Sequence, residues 1–277
     1  MSQFSIIFNG LKINAAATED AEYFEQQWRE VEKGNYEPGM YRVFDDFLNN
    51  NTTYFDLGAY IGYTCLYAAQ RAGQTHALEP DPVAFRALKQ NRELNPSIQT
   101  ITIYNYAAGT HNGVARIMSK ASGGNAGTSL LHADYKSSWQ VEMVEMNDFM
   151  LERSGKGEIF IKMDIEGYEY QLLPSLKRMI TKTRPTILLS LHPQIIANSI
   201  KGRTAFQKVK RRIRMVFVHL ALMPSLMKFK YRYKPDRSHY SMRDFFMNIL
   251  KSGKLNEENK DIVLSFKPWP QKTDIFQ

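Results

Sequence analysis

Four polar residues of the sequence stand where chemistry is expected, each at the end of a predicted strand. They are Asp56, Glu79, Asp164 and His192. In a mostly parallel sheet the carboxyl ends of the strands lie along one edge, and ligands bind beyond that edge. Carboxylates and an imidazole can exchange protons, accept hydrogen bonds from hydroxyl groups or bind cations. The sequence therefore predicts one site at this edge, with acid–base chemistry available to it.

The first of these residues begins a motif that can bring the backbone close to a ligand. The sequence reads D-x-G-A-x-x-G from Asp56, and Gly58, Ala59 and Gly62 are expected to form a tight turn between a strand and a helix. Such turns bind nucleotide-like ligands, although the same glycines could serve packing alone. A dinucleotide fingerprint needs two more glycines where tyrosines stand here, and no Gly-Lys-Ser/Thr of a Walker loop follows. The motif therefore does not predict a pyrophosphate ligand.

The acidic residue at the end of the second strand narrows the choice of ligand. Glu79 follows a predicted strand over residues 75–78, where a carboxylate suits the two hydroxyls of an adenosine ribose. With no pyrophosphate to bind, Asp56 can face a cation such as an amino group or a sulfonium. This combination favours S-adenosylmethionine as the cofactor.

A site for S-adenosylmethionine predicts methyl transfer, and the downstream residues suit that reaction. Transfer from a sulfonium is an in-line displacement, so positioning of the reactants can supply most of the catalysis. An alcohol acceptor must still lose its proton to a general base. We expect either that His192 takes the proton while Asp164 orients it or the substrate, or that Asp164 is the base itself. His192 could instead be structural.

Three further features, near Asp164 and in a predicted loop, have alternative interpretations. Glu166 and Glu169 begin a helix, where negative charge is favourable, so they could cap the helix or act in catalysis. A divalent metal could be held by Asp164 and His192, but the sequence does not require one. A loop that ends at Ser129 could be a lid that contacts the substrate or a plain connection.

The elements that must position these residues alternate between strands and helices. Further strands are predicted at 100–104, 158–163, 186–191 and 261–266, with shorter ones at 114–118 and 141–146. This alternation is typical of an α/β fold with a mostly parallel sheet covered on both faces. Ahead of it, Asn9-Gly10 predicts a β-hairpin, and two helices are predicted between the hairpin and the first strand of the sheet.

The composition fits an intracellular α/β domain. The 277 residues are 43% hydrophobic, enough for one large domain with additions. Cys65 is the only cysteine, so no intrachain disulfide can form and a reducing compartment is expected. The first 20 residues lack the pattern of a signal peptide, and no apolar run approaches the roughly 20 residues of a membrane span. We therefore expect a cytoplasmic protein, with peripheral contact at the cytoplasmic face of a membrane as one option.

The basic character of the chain belongs to one segment. Residues 201–237 hold twelve lysines and arginines against one aspartate, a local charge of +11, so the rest of the chain carries −3 of the total of +8. Within this segment Phe206, Val209, Ile213, Val216 and Leu220 recur at helical spacing. The segment could be a solvated helix face with packing on its other side, an amphipathic helix on an anionic membrane surface, or a binding site for nucleic acid or an acidic glycan. Nucleic acid is the less favoured partner.

With these residues identified, the chain resembles the FkbM family of S-adenosylmethionine-dependent methyltransferases. The resemblance runs in order over residues 34–194, and residues 261–267 look like the closing strand of the family. The most specific part is K-x-D-I-E-G-x-E within residues 161–169. The matching stretches are Tyr36-Glu37, FDLGAYIGYT at 55–64, LEPDP at 78–82, NYAAG at 105–109, VEMVEMNDF at 141–149, IKMDIEGYE at 161–169 and LSLHP at 189–193.

The resemblance implies a fold, a reaction and a set of site residues. The fold would be the Rossmann-like class I methyltransferase fold, with a doubly wound, mostly parallel seven-stranded sheet whose last strand is antiparallel. The reaction would be O-methylation, frequently of sugar hydroxyls in glycans or glycosylated natural products. Tyr60 stands where the family usually has asparagine. The cofactor would contact Asp56, Gly58, Ala59, Tyr60, Gly62, Glu79, Pro80, Asp81, Asn105, Tyr106, Ala107 and Asp164, and the substrate would contact Tyr36, Glu37, Glu166 and Ser129.

The sequence also predicts a domain organisation and leaves rival functions open. Residues 1–50 would form an N-terminal hairpin and helices packed on the core. Residues 51–277 would form the methyltransferase domain that binds S-adenosylmethionine, with a basic helical insertion at 195–240 after the fifth strand. The alternatives are a methyltransferase that acts on RNA or on a small phenol or amine, and a cofactor-binding adaptor at a membrane.

Overall fold

The structure is a computed structural model, and it describes residues 3–16, 21–119, 130, 137–198, 204–243, 245–246 and 260–271. Its strands are β1 (Gln3–Phe8), β2 (Leu11–Ala16), β3 (Thr52–Leu57), β4 (Gln74–Leu78), β5 (Ile101–Tyr104), β6 (Ala107–Gly109), β7 (Gly113–Ser119), β8 (Ser137–Glu145), β9 (Glu158–Met163), β10 (Thr186–Ser190), β11 (Tyr231–Tyr233) and β12 (Asp261–Ser265). Its helices are α1 (Ala21–Glu32), α2 (Pro38–Phe47), α3 (Tyr63–Ala68), α4 (Pro82–Glu93), α5 (Met146–Arg153), α6 (Glu169–Ser175), α7 (Lys177–Thr183), α8 (Pro193–Asn198) and α9 (Ala205–Leu226).

Seven strands form the main sheet, in the order β11-β12-β10-β9-β3-β4-β5. The five strands from β10 to β5 are parallel, and β12 pairs antiparallel with β10. Every residue of β3 is buried, as expected for a parallel strand covered on both faces. This confirms the predicted α/β fold, with its mostly parallel seven-stranded sheet and antiparallel last strand.

The basic segment supplies one strand of this sheet. β11 pairs antiparallel with β12 at the edge, a position that the sequence analysis did not assign. The short strands predicted at 114–118 and 141–146 instead belong to a separate three-stranded sheet of β6, β8 and β7. Exposed and less exposed residues alternate along the first half of β8. A strand with one polar face suits a sheet that is covered on one side only. β8 therefore lies outside the main sheet, which is covered on both faces.

Two apolar cores cover the two faces of the main sheet. Tyr54 belongs to one core with Phe44 and Leu66, while the adjacent Phe55 belongs to the other core with Leu189. Successive side chains of a strand point to opposite faces, so β3 contributes to both cores. The sheet is therefore doubly wound, as predicted.

The N-terminal hairpin packs into the first of these cores. Asn9 and Gly10 both have positive φ, at 45° and 75°, as the predicted Asn-Gly turn requires. The hairpin is held to α4 and the turn after it by hydrogen bonds from Ala16 N–H to Asn91 Oδ1 and from Asn14 N–H to Asn95 Oδ1, both 2.9 Å long. The hairpin thus shares a core with the sheet, and the predicted domain boundary near residue 50 stays a prediction.

The predicted helix of the basic segment is present as α9. Thr204 and Gln207 form a capping box at its start, which satisfies backbone N–H groups that have no partner inside the helix. Its second half packs against α6, where Tyr170 Oη and His219 Nε2 lie 2.9 Å apart. Across the described residues, no helix combines the length and apolar character needed to span a bilayer.

Candidate active site

A cavity of about 250 Å³ lies at the carboxyl ends of β3, β4, β9 and β10. β3 is followed in sequence by β4 on one side of it, while the later strand β9 lies on the other. The strand order therefore reverses at β3, which is where open α/β sheets bind ligands. Twelve of the residues expected from the sequence line the cavity: Tyr36, Glu37, Gly58, Ala59, Tyr60, Glu79, Pro80, Tyr106, Ala107, Asp164, Glu166 and His192.

Four expected residues lie behind this lining, where they hold its loops in place. Gly62 forms the N-cap of α3, and Asp81 caps α4 by accepting the Val83 N–H at 2.8 Å. Asn105 donates from Nδ2 to the Glu79 carbonyl at 2.8 Å. The fourth is Asp56, whose partners are described below. Their direct contacts with a cofactor stay predictions, and Ser129 lies outside the described residues.

Gly58 lets the ends of β3 and β9 approach closely. Its φ is +86°, and a Cβ at this position would lie 1.9 Å from the carbonyl oxygen of Asp164. The N–H groups of Gly58 and Ala59 both donate to the Leu78 carbonyl at 3.0 Å, which ties the turn to the end of β4. Only glycine fits here, so the cavity has a floor of bare backbone.

Glu79 is held rigidly in the cavity wall. Its Oε2 accepts the Tyr60 N–H and its Oε1 accepts the Asp81 N–H, each at 2.8 Å. Burial raises its pKa to about 8, although these two hydrogen bonds favour the ionised form. A carboxylate can accept about four hydrogen bonds, so two backbone donors leave capacity for a ligand.

A buried lysine that the sequence analysis missed lies beneath the glycine turn. Lys162 Nζ lies 3.2 Å from Asp56 Oδ1, 3.5 Å from Asp164 Oδ2 and 3.1 Å from the Gly58 carbonyl oxygen. Thr64 Oγ1 donates to the other Asp56 oxygen at 2.6 Å. The Asp56 side chain is 0% exposed and that of Lys162 is 3% exposed. Burial lowers the pKa of Lys162, but the two aspartates raise it by more than burial lowers it. The pKa therefore lies above its ordinary value.

Three carboxylates surround His192. Its Nδ1 lies 2.9 Å from Glu169 Oε1, and its Nε2 lies 3.4 Å from Asp164 Oδ1 and 3.9 Å from Glu166 Oε1. Burial lowers the pKa of His192, but the three carboxylates raise it to about 10 overall. The ring is therefore protonated at neutral pH and has no lone pair to accept a proton. This arrangement favours a role for His192 as a fixed cation, and its interpretation as the general base stays a prediction.

Glu166 is the carboxylate whose proton affinity suits a base at neutral pH. Burial raises its pKa, His192 lowers it and Asp164 raises it again, to about 7 overall. For Asp164, burial raises the pKa but Lys162 and His192 lower it more, so it ends below its ordinary value. Glu166 also has a φ of 51°, an uncommon conformation for a residue with a side chain, and one that clusters at functional sites.

A second lysine reaches the cavity from a distant part of the chain. Lys260 Nζ lies 2.8 Å from Glu37 Oε1, and both residues line the cavity. Lys260 directly precedes β12, whereas Glu37 precedes α2. The pair therefore joins the N-terminal helices to the closing strand at the cavity.

The site can also be tested for the metal that the sequence left open. Within the described residues, ligand atoms of Asp164, Glu166 and His192 lie within 4.8 Å of one another. The second oxygen of Asp164 faces Lys162, and His192 already carries a positive charge. The carboxylates thus have cations from the protein itself, and a divalent metal stays a prediction.

The solved structures to which this chain is similar include methyltransferases. Methyltransferase FkbM from Methylobacillus flagellatus KT is 15% identical, with a TM-score of 0.42, over 78% of this chain and 44% of that one. The M. jannaschii tRNA m1G37 methyltransferase is 12% identical, with a TM-score of 0.35, over 68% of this chain and 43% of that one. SMU.1697c of Streptococcus mutans, assigned as a methyltransferase and solved with SAH, is 7% identical, with a TM-score of 0.40, over 83% and 96%.

These likenesses identify no substrate or ligand for this chain, which spans less than half of the first two structures. No curated protein sequence matches the chain. The family model of the FkbM methyltransferase domain matches residues 56–233, which is more than half of the 277 residues. It includes the glycine turn, Glu79, Lys162, Asp164, Glu166 and His192. The chain belongs to the family of FkbM methyltransferase domains.

Proposed function

We propose that this chain is an S-adenosylmethionine-dependent O-methyltransferase that acts on a sugar hydroxyl of a glycan or glycoconjugate. The observation that carries the proposal is the pairing of two features in one cavity. One wall holds a rigid carboxylate, Glu79, beside a floor of bare backbone at Gly58. The other holds Glu166, with a pKa of about 7, next to a protonated His192.

The residues present fit S-adenosylmethionine. Glu79 can accept hydrogen bonds from the two ribose hydroxyls, and the bare floor at Gly58 admits close approach of the ligand. When bound, this cofactor supplies an electrophilic methyl group on a sulfonium. Asp164, whose pKa lies below its ordinary value, stays ionised and can face this positive charge.

The remaining residues provide for the acceptor. Glu166 accepts the proton of the acceptor hydroxyl, since its pKa lies close to neutral. Protonated His192 keeps Asp164 and Glu166 in place and balances their charge. Tyr36 and Glu37, which line the same cavity, can hydrogen bond to further hydroxyls of a sugar.

Above about pH 8, where Glu79 is ionised, replacing it with glutamine should weaken cofactor binding about 10- to 100-fold, because a hydrogen bond to a charged group contributes about 1.5–3 kcal/mol. Titration calorimetry with S-adenosylhomocysteine measures the effect, and Glu93→Gln on the exposed end of α4 is the control. The ionised form of Glu79 is the acceptor, so wild-type affinity should rise as the pH is raised through about 8. The variant should lack that rise. Equal affinities of the two proteins at every pH would contradict the assignment.

Incubation with cofactor labelled in its methyl group should transfer label to a saccharide. The panel should contain sugars, lipid-linked and polymeric glycans, total RNA, and small phenols and amines. We expect label in the saccharide fraction, with little or none for Glu166→Gln at equal cofactor saturation. Label in RNA alone, or in a phenol or amine alone, would overturn the proposed acceptor. Cofactor binding without transfer to any acceptor or cell extract would favour an adaptor.

A further inference from the structure

Helix α9 has two apolar faces, and only one of them is covered by the protein. Five residues of its second half are buried: Met215, His219, Leu222, Ser225 and Leu226. His219 Nδ1 donates to the Met215 carbonyl at 2.6 Å, so its Nε2 accepts the hydroxyl of Tyr170 on α6. This face fixes α9 to the body of the protein.

The other apolar face is open to solvent. The exposed fractions are 77% for Phe206, 53% for Val209, 51% for Ile213, 67% for Phe217 and 45% for Leu220. Their spacing of three or four residues places them in one stripe along the helix. None of the residues 205–214 is buried in the described part of the chain, and the stripe itself is open to solvent. We refer to these five residues as the exposed stripe.

Basic residues border the exposed stripe on both sides. At about 100° per residue, Lys210 and Arg214 fall along one border of the stripe and Arg212 along the other. All three are exposed. The 22 residues of α9 contain no aspartate or glutamate. The helix therefore presents large apolar side chains between positive charges, with no negative charge of its own to balance them.

The charge and the apolar character together select the surface that covers the stripe. A second copy of the chain would cover the apolar residues but would place like charges together. RNA would neutralise the charges but would leave Val209, Ile213 and Leu220 without an apolar environment. An anionic lipid surface meets both needs, since acyl chains take the apolar residues and head groups pair with lysine and arginine.

We propose that α9 is a peripheral membrane-binding helix that lies in the interface of an anionic lipid bilayer through the exposed stripe. The helix lies flat rather than spanning the bilayer, in agreement with its lack of a membrane-crossing segment. The helix is held firmly to the body of the protein, because Tyr170 of α6 contacts His219 of α9. The neighbouring Glu169 contacts His192 in the cavity. The proposal does not depend on the identity of the methyl acceptor.

Co-sedimentation with vesicles tests the proposal. We expect the full chain to bind phosphatidylcholine vesicles that contain phosphatidylglycerol. It should bind vesicles of phosphatidylcholine alone at least about tenfold more weakly, because basic residues are attracted to an anionic surface. The triple variant Phe206→Ser/Ile213→Ser/Phe217→Ser and the charge variant Lys210→Glu/Arg214→Glu should each lower binding about tenfold or more. Binding should also weaken at high salt.

Matched controls change the same chemistry elsewhere on the surface. Val114→Ser removes an apolar side chain that is 70% exposed, and Lys177→Glu/Lys182→Glu reverses two exposed charges on α7. Both controls should bind like the wild type. All the substituted side chains are exposed, and thermal melts should confirm that every variant folds.

Three results would overturn the proposal. The first is vesicle binding that is equal for the α9 variants and their controls, or absent in the wild type. The second is tight RNA binding, without vesicle binding, that survives the triple serine substitution. The third is a stable dimer in light scattering that the triple variant abolishes while no vesicle binding occurs.

Discussion

Replacing Glu166 with glutamine is expected to lower the rate of methyl transfer about 10²- to 10⁴-fold, the usual contribution of a general base. Cofactor affinity should change little, because the proposed partner of the ribose, Glu79, follows β4, whereas Glu166 lies beyond the end of β9. The rate of the wild-type protein should fall as the pH drops through about 7, where Glu166 becomes protonated. Single-turnover measurements at saturating cofactor, over a range of pH, report this effect directly.

Replacing His192 separates its proposed role as a cation from the proposed role of Glu166 as the general base. The charge of His192 lowers the pKa of Glu166, so His192→Ala should move the acid limb of the rate profile to higher pH. Glu142→Gln, an exposed substitution on β8, is the control for loss of a carboxylate.

Repeating the assay after exhaustive chelation tests the metal, since a rate that collapses and is restored by a divalent ion would assign these residues to a metal instead. A wild-type rate with no acid limb near pH 7 would remove Glu166 as the base.

Replacing Lys162 with methionine is expected to lower the free energy of unfolding by about 3–5 kcal/mol. The reason is Asp56, whose side chain is 0% exposed and whose Oδ1 lies 3.2 Å from the ammonium group. Without Lys162 this carboxylate would remain in the core with no cation to balance it. The variant would also release the hydrogen bond to the Gly58 carbonyl, so the glycine turn should loosen as well.

Urea denaturation of the single and double variants tests this explanation. Asp56→Asn combined with Lys162→Met removes both charges and should recover a large part of the loss, since the cost comes from one unpaired charge. Lys182→Met on the exposed surface of α7 is the control. An unfolding midpoint of Lys162→Met equal to that of the control would show that the buried pair does not support the fold. Equal losses in the single and double variants would show that the unpaired charge is not the cause.

Much of the site could be predicted because strand ends and turns leave local signals. The end of β3 is followed by glycines, β4 is followed by Glu79, β9 by Asp164, and β10 ends shortly before His192. Parallel strands bring all of these to one edge, and the cavity lies there. Lys162 had a signal too, since it lies two residues before Asp164 and so on the same face of the strand. A lysine is rarely buried unless it has a partner of opposite charge. Lys162 was missed because its partner, Asp56, lies 106 residues earlier in the chain.

The proton assignments could not be predicted in the same way. His192 follows a strand, and an isolated histidine titrates near neutral pH. Its pKa of about 10 arises from Glu169, Asp164 and Glu166, which approach it only when the loop after β9 and the start of α6 meet the end of β10. The same approach raises the pKa of His192 and makes Glu166 a candidate for accepting the proton.

The sequence by itself determined the alternation of strands and helices, the glycine turn, the acidic residue that follows β4 and the family, because each depends on residues that are close in the chain. Only the tertiary structure decided the pairing of Lys162 with Asp56, the charge of His192 and the face that α9 buries. Both faces of α9 are apolar, so periodicity alone could not distinguish them. The contact of His219 with Tyr170 turns one face inward, and the stripe with Phe206 and Phe217 is left exposed. Burial and charge pairing depend on groups far apart in sequence, which is why they are settled only when the chain folds.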